Sequence, residues 1–322
     1  MDGVSRHRSM TESSASVRRT RPNTGLFHTL DASTPGGYNA GVNSAVESNP
    51  SSTGEIHMNK YLPKVTGHAL VLGAGGIGAE IVRALVANGA TAVSFTYNSG
   101  KEKAEALKSE LEAQGVKAHA FQFSGVTDET ESDFARSLQL AVDAIGMEVS
   151  VAVDTIGISP NVDFLEQNLS SVERDREGWQ RVFEVNVFSS ALAARAILER
   201  MRLNDVKGSY VVISSTNGIN SYDEMSWPYD ESKASLVLRP RVLAKRYAKY
   251  GIRVNGVAPG WIDTPMNRTL PEDYRNNEMR LIGVGRFAEP AEVASVVVFL
   301  SSTGASYIHG QTIIVDGYYP MS

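Results

Sequence analysis

Tyr229 and Lys233 stand four residues apart in the run Tyr229-Asp230-Glu231-Ser232-Lys233. On a helix that spacing puts both side chains on one face. A tyrosine in water ionises at a pKa of about 10, too high for ready proton exchange near neutrality. A neighbouring ammonium favours the phenolate and lowers that pKa, so such a pair can serve as a general acid/base. Upstream, Ser215 follows an apolar run at 209–214 and can donate a hydrogen bond to a carbonyl oxygen. The Tyr-x-x-x-Lys spacing alone is common on amphipathic helices. Its weight comes from what precedes it.

What precedes it is a glycine-rich turn, Leu72-Gly73-Ala74-Gly75-Gly76-Ile77-Gly78, between an apolar run and a helical pattern. Glycines there let the backbone turn tightly and approach a pyrophosphate. The following helix N-terminus points amides and partial positive charge at the phosphates. The plainer alternative is a tight strand–helix turn with no ligand. The next apolar run ends at Phe95-Thr96-Tyr97-Asn98-Ser99-Gly100-Lys101. NAD-specific sites usually carry an acidic residue at this strand end to bind the ribose 2′-hydroxyl. Here Tyr97 or Asn98 takes that place, and the next carboxylate is Glu102. Asn98, Ser99, Lys101 and Lys103 can donate to a 2′-phosphate, which favours NADP(H) over NAD(H). The lysines can equally be a solvated helix start.

The elements that must position these residues are legible as alternation. Apolar, Val- and Ile-rich runs at 68–73, 92–97, 117–123, 149–154, 209–214, 252–257 and 311–315 are separated by helical patterns at 77–88, 102–114, 129–145, 177–202, 230–250 and 290–301. Strands lacking polar alternation are buried on both faces, as in a parallel sheet flanked by helices. The expected fold is α/β: a doubly wound, seven-stranded parallel sheet with helices on both faces, forming one domain over 58–322. Residues 1–57 differ. They are rich in Ser, Thr, Asn, Gly and Pro and carry no periodicity, so a disordered extension is expected. Arg6, Arg8, Arg18, Arg19 and Arg21 among serines raise a targeting peptide as the alternative, with Asp2 and Glu12 against it. Pro240 falls inside the helix expected at 230–250 and predicts a kink there.

Composition narrows the chemistry. The 322 residues carry a formal net charge of -5 and no long basic run, which argues against a nucleic-acid partner. There is no cysteine, so disulfides, thiolate nucleophiles and cysteine-ligated metals are excluded. The six histidines are widely spaced, and no metal site is expected. No apolar run reaches membrane-spanning length. A cytoplasmic, reducing setting fits.

From about Tyr61 onward the chain resembles the short-chain dehydrogenase/reductase family, most closely the bacterial 3-oxoacyl-(acyl-carrier-protein) reductases. The resemblance rests on Gly73 to Gly78, Val185-Asn186-Val187, Ile213-Ser214-Ser215, Tyr229 with Lys233, and Arg253-Val254-Asn255-Gly256-Val257-Ala258-Pro259-Gly260. It extends to Thr264-Pro265-Met266, Gly285-Arg286-Phe287-Ala288-Glu289-Pro290, and Gly310-Gln311 with Val315-Asp316-Gly317. The resemblance implies reduction of a ketone, with a 3-oxoacyl thioester as the leading substrate class and NADP(H) as hydride source. Another secondary alcohol (a sugar or steroid) or a non-catalytic cofactor binder are the alternatives. It implies that Tyr229 protonates the carbonyl oxygen, Lys233 holds the nicotinamide ribose and lowers the tyrosine pKa, Ser215 polarises the carbonyl, and Asn186 seats a water in the proton relay. Pro259, Gly260, Ile262 and Thr264 would lie along the nicotinamide, and Asp154 and Gly157 near the cofactor. A homotetramer, or else a dimer, is implied through the helix at 290–301 and the strand at 311–315.

Three departures from the family pattern touch cofactor binding. The glycine loop is one residue shorter, with Leu72 in place of threonine. The family's Asn-Asn-Ala-Gly reads Asp154-Thr155-Ile156-Gly157. Its adenine-holding aspartate is matched by Gly125. Asp154 can instead be a structural substitute that hydrogen-bonds neighbouring strands. Trp227 and Met225 either line a substrate pocket or pack. The polar stretch 264–287 is expected to carry a short helix near 271–280.

Overall fold

A computed structural model describes residues 62–123, 131–159, 172–220, 227–265 and 267–320. The extension 1–57, Gly125, Met225 and Met266 lie outside the described residues. All seven apolar runs are strands: β1 His68–Leu72, β2 Ala92–Tyr97, β3 Lys117–Gln122, β4 Val149–Asp154, β5 Gly208–Ile213, β6 Ile252–Pro259 and β7 Thr312–Val315. They form one sheet in the order β3-β2-β1-β4-β5-β6-β7, and every neighbouring pair is parallel. β1 shows why: each of its residues is buried, so neither face of the strand can meet water.

Alternate side chains of the strands feed two apolar layers. Ala69 and Val71 join Ile81, Val82 and Leu85 of α1 (Ile77–Ala87), Leu107 and Leu111 of α2 (Lys101–Ala113), and Val293 and Val297 of a later helix at Pro290–Ser301. Leu70 and Leu72 join Phe134 and Leu138 of α3 (Glu131–Ile145), Ile197 and Met201 of a helix at Ser190–Leu203, and Leu236 of a helix at Trp227–Tyr247. Helices therefore cover both faces. The chain winds outward from β1 to β3, then returns to place β4 on the other side of β1. In such sheets ligands bind where the winding reverses, outside the carboxyl ends of the strands.

The expected helix at 177–202 is interrupted. α4 (Val172–Phe183) runs into a π-helical segment, Glu184–Ser189, before α5 (Ser190–Leu203). Wide turns of this kind recur at functional sites. α6 spans Trp227–Tyr247 and continues through Pro240. The proline ring packs against β6 at Gly256, where any Cβ would lie 3.0 Å from it. The Thr312 hydroxyl donates to the carbonyl of Val237 at 3.0 Å in the same turn. The short helix expected near 271–280 is α7 (Glu272–Leu281), followed by α8 (Pro290–Ser301). Arg253, part of the motif at 253–260, donates to the carbonyls of Leu300, Ser302 and Ala305 and so closes the end of α8. That motif residue is structural. Among the described residues no helix is long and apolar enough to cross a membrane.

Candidate active site

Gly218 sets the geometry of the site. A Cβ there would fall 2.5 Å from the backbone carbon of Lys233 and 2.6 Å from the nitrogen of Ala234. With glycine, the 3-10 turn Thr216–Gly218 after β5 lies directly on α6. Ser215 caps that turn, accepting from the Asn217 amide at 3.2 Å. The Asn217 side chain donates to Asp230 of α6 at 2.8 Å, and the Ser214 hydroxyl donates to the Lys233 carbonyl at 2.9 Å. Strand end and helix are thereby locked together, and Ser215 and the Tyr229 hydroxyl share a hydrogen bond.

Lys233 is one helical turn away, its Nζ 5.6 Å from the centroid of the Tyr229 ring. The ammonium is buried and donates to the carbonyl of Ile213 at 3.3 Å. Gly157 keeps the opposite side narrow, since a Cβ there would sit 3.0 Å from Nζ and 3.6 Å from Asn186 Oδ1. Asn186, in the π segment, accepts from the Ile158 amide at 2.8 Å, donates to the Ile158 carbonyl at 3.0 Å, and donates to the Ser232 hydroxyl at 2.9 Å. Its side chain pins the loop after β4 against α6. Ser232 had no signal of its own in the sequence. It enters because it lies beside Lys233 on α6.

The expectation that Lys233 lowers the Tyr229 pKa meets a stronger effect. Burial, with the Asp230 carboxylate acting in the same direction, pushes Tyr229 up to about 12; the Ser215 hydrogen bond opposes them. Burial pushes Lys233 down to about 8, with Asp154 opposing and Arg239 reinforcing. Desolvation disfavours whichever form is charged, and it is the largest influence on both groups.

The glycine loop closes on itself despite its short length. The Gly75 amide donates to the Gly73 carbonyl and the Gly78 amide to the Gly75 carbonyl, each at 2.8 Å. Gly78 comes so near the Gly73 carbonyl that a Cβ would overlap it at 2.0 Å. Gly76 has φ 50°, and Ile77 begins α1 with no side-chain cap on its first turn. Gly75 and Gly76 look into open space. Two threonines hold the loop: Thr96 through the Gly73 and Ala74 amides at 2.8 Å, and Thr155 through the Leu72 and Gly73 carbonyls at 2.8 and 2.7 Å. Thr155 stands where the family pattern has asparagine, and its clamp accounts for that departure. The bare turn and the uncapped helix amides fit a dinucleotide pyrophosphate.

Other expected residues gather on the same rim. Tyr97 ends β2 half-buried, with Asn98 and Ser99 exposed beyond it. Pro259 ends β6, and its carbonyl accepts from the Thr216 hydroxyl at 3.2 Å. Gly260 packs against Asp316, Ile262 is buried, and Thr264 accepts from the Asn267 amide at 3.4 Å. Asp154 differs. Its carboxylate turns to Tyr210, Ser190 and the Ile156 amide, so protein groups rather than the glycine loop receive it. Trp227 is half exposed, packs edge-on against Trp179 at 5.3 Å, and donates to Glu231 at 2.8 Å.

Residues 71–319 match the protein family described as enoyl-(acyl carrier protein) reductase. The chain is 34% identical to a 3-oxoacyl-(acyl-carrier-protein) reductase of Aquifex aeolicus over 264 residues, covering 82% of this chain and 98% of that protein. It is also 34% identical to a cyclopentanol dehydrogenase of a Comamonas strain, over 77% of this chain and 94% of the other. Among solved structures it resembles a blue fluorescent protein from a metagenomic library, in complex with NADPH. The TM-score is 0.69 and the identity 30%, covering 79% of this chain and 97% of that one. With the match spanning nearly the whole sheet and its site, the chain belongs to the short-chain dehydrogenase/reductase family of oxidoreductases.

Proposed function

We propose that this protein reduces a ketone to a secondary alcohol with NADPH, and that a 3-oxoacyl thioester is its substrate class. The observation that carries the reading is the meeting of Ser215, Tyr229, Lys233 and Asn186 beside the glycine loop at the carboxyl ends of the strands. A tyrosine held up to about 12 keeps its proton at neutral pH, the form that a carbonyl oxygen needs from a general acid. Ser215 orients that hydroxyl and can donate to the same oxygen. Lys233 titrates at about 8 and is mostly an ammonium at pH 7, suited to hold ribose hydroxyls. Bound NADPH supplies the hydride to the carbonyl carbon, while the Tyr229 proton goes to the oxygen. Cofactor choice rests on the β2 end. No carboxylate lies between Tyr97 and Lys101, and α2 begins at Lys101 without a side-chain cap. A 2′-phosphate would meet Asn98, Ser99 and the exposed Lys101 and Lys103 without repulsion.

The acyl-thioester assignment draws on the Aquifex relative, and the cyclopentanol dehydrogenase relative favours a second reading, oxidation of another secondary alcohol. Two surfaces support a homotetramer over a dimer. One is the groove between α5 and α6, where Leu238 and Val242 are exposed. The other is formed by α8 and β7, with Phe299, Ile313 and Ile314 exposed.

Titration of nicotinamide fluorescence tests the cofactor. NADPH should bind at least tenfold more tightly than NADH, and the reverse preference would overturn the assignment. Tyr229→Phe should cut turnover by about 10²–10⁴-fold with the NADPH dissociation constant unchanged. Unaltered turnover would remove Tyr229 from the chemistry.

A further inference from the structure

Asp154 is the departure from the family pattern that cofactor binding does not absorb. It ends β4, and its side chain is only 1% exposed. One carboxylate oxygen accepts from the Ile156 amide at 3.1 Å. The other accepts from the Tyr210 hydroxyl at 2.9 Å and from the Ser190 hydroxyl. Ser190 in turn accepts from the guanidinium of Arg239, which also donates to the Val187 carbonyl at 2.9 Å. A buried carboxylate and a guanidinium are thus joined through one hydroxyl, across β4, β5, α5 and α6. Asp154 is buried and Arg239 partly buried on the groove between α5 and α6, so the carboxylate is the charge that depends on its partners.

The network touches both walls of the lysine site. Val187 follows Asn186 in the π segment. Asp154 opens the loop whose Gly157 lies against Lys233 Nζ and whose Ile158 is gripped by Asn186. Around Lys233 the charged or titratable groups are Asp154 from β4, and Tyr229 and Arg239 from α6. Around Asp154 they are Tyr210 from β5, and Lys233 and Arg239 from α6. Tyr210 stays protonated, because burial and the adjoining carboxylate hold its pKa well above the usual value.

We propose that Asp154 and Arg239 are positioning residues for Lys233: linked through Ser190 behind the site, they hold the turn that carries Asn186 and act on the lysine with opposite charges. Asp154 favours the ammonium and Arg239 disfavours it, and the bridge keeps both in place. The chain thereby carries a counter-charge for its site lysine where the family pattern has a neutral amide. The inference rests on Lys233 being the site lysine of the proposed reductase.

The test uses two variants that change charge and preserve shape or hydrogen bonding, Asp154→Asn and Arg239→Gln. Lys233 is titrated directly by competitive acetylation with acetic anhydride, and its peptide is quantified by mass spectrometry across pH. The alkaline loss of NADPH binding is followed in parallel by fluorescence. Asp154→Asn should move the Lys233 titration down by about one pH unit, and Arg239→Gln should move it up by a similar amount. Loosened packing would move both in the same direction, so opposite shifts are the signature of charge. Shifts of the same sign, or none, overturn the proposal. Should Asp154→Asn not fold, Arg239→Lys, which keeps the charge while changing the packing, stands beside Arg239→Gln: a rise in Arg239→Gln that Arg239→Lys lacks supports the proposal, and an equal rise in both, or none, overturns it. Failure of the parent protein to bind NADPH would defeat the reductase reading and leave the acetylation result standing, so the two failures are separable.

Discussion

Burial drives Tyr229 and Lys233 toward their neutral forms from opposite directions, and the two have opposite consequences for stability. Tyr229 is raised from 10 to about 12. The unfolded chain loses that proton first, so the tyrosine's contribution is intact below pH 10 and is lost as pH rises to 12. Lys233 is lowered from 10.5 to about 8. Between those values the unfolded chain binds the extra proton, so stability rises with pH across that window. Below pH 8 the folded protein carries the full cost of a buried ammonium, on the order of 3 kcal/mol. Lys233→Met should therefore stabilise the protein at pH 7 by up to about that amount and flatten the pH dependence between 8 and 10.5. Chemical denaturation of both proteins at pH 7 and pH 10 measures this. A variant no more stable than the parent at pH 7 would mean that the site accommodates the ammonium without strain. The gain would come with lost turnover, the usual exchange at a functional site.

At the scale of elements, the close seating of the turn Thr216–Gly218 on α6 aligns Ser215 with Tyr229. Gly218→Ala would place a Cβ 2.5 Å from the Lys233 backbone, and backbone cannot step aside as a flexible side chain can. The turn must lift, and Ser215 with it. Turnover should fall at least tenfold while the NADPH dissociation constant stays within about twofold, because the glycine loop on β1 is untouched; such misplacement of catalytic groups is costly. An equal loss of cofactor affinity would show that the two halves of the site are not mechanically separate. This contact also marks where sequence reading ends. The seven strands were legible because buried strands announce themselves as Val- and Ile-rich runs, and Tyr229, Lys233 and Ser215 because their spacing has chemical meaning. Gly218, Thr96, Thr155 and Ser232 were not, because each acts through a partner distant in sequence. Nothing in the apolar pattern of 177–202 betrays the π turn at Asn186, since one wide turn leaves that pattern unbroken. Asp154 looked like a cofactor residue or a strand tie, and only its contacts with Tyr210 and Ser190 separate the two. Pro240 is read in the sequence only as a helix interruption; that β6 supplies Gly256 to receive its ring is a contact between distant residues that the sequence does not show.

For the whole molecule, the proposed tetramer rests on where apolar surface is left exposed among the described residues. On α6, Leu238 and Val242 are 56% and 58% exposed, on the rim of a groove that also takes in Ala191, Arg195 and Arg246. Adjoining them, desolvation tends to raise Glu199, but the Tyr247 hydroxyl with Arg202 and Arg246 outweighs it and holds the carboxyl down to about 2, which leaves charge around an apolar centre. A second surface lies at the β7 edge of the sheet, where Ile313 and Ile314 are partly exposed and Phe299 of α8 is at hand. Each surface can pair with its own copy about a two-fold axis, and two such contacts on one subunit close into a tetramer. Sedimentation equilibrium of the parent should give four chains per particle. Leu238→Glu with Val242→Glu should leave dimers held at the β7 edge, and Ile314→Glu should leave dimers held at α5 and α6. A particle that falls directly to monomers in both cases would mean that the two surfaces form one contact. A parent that sediments as a monomer would mean that neither surface is an interface.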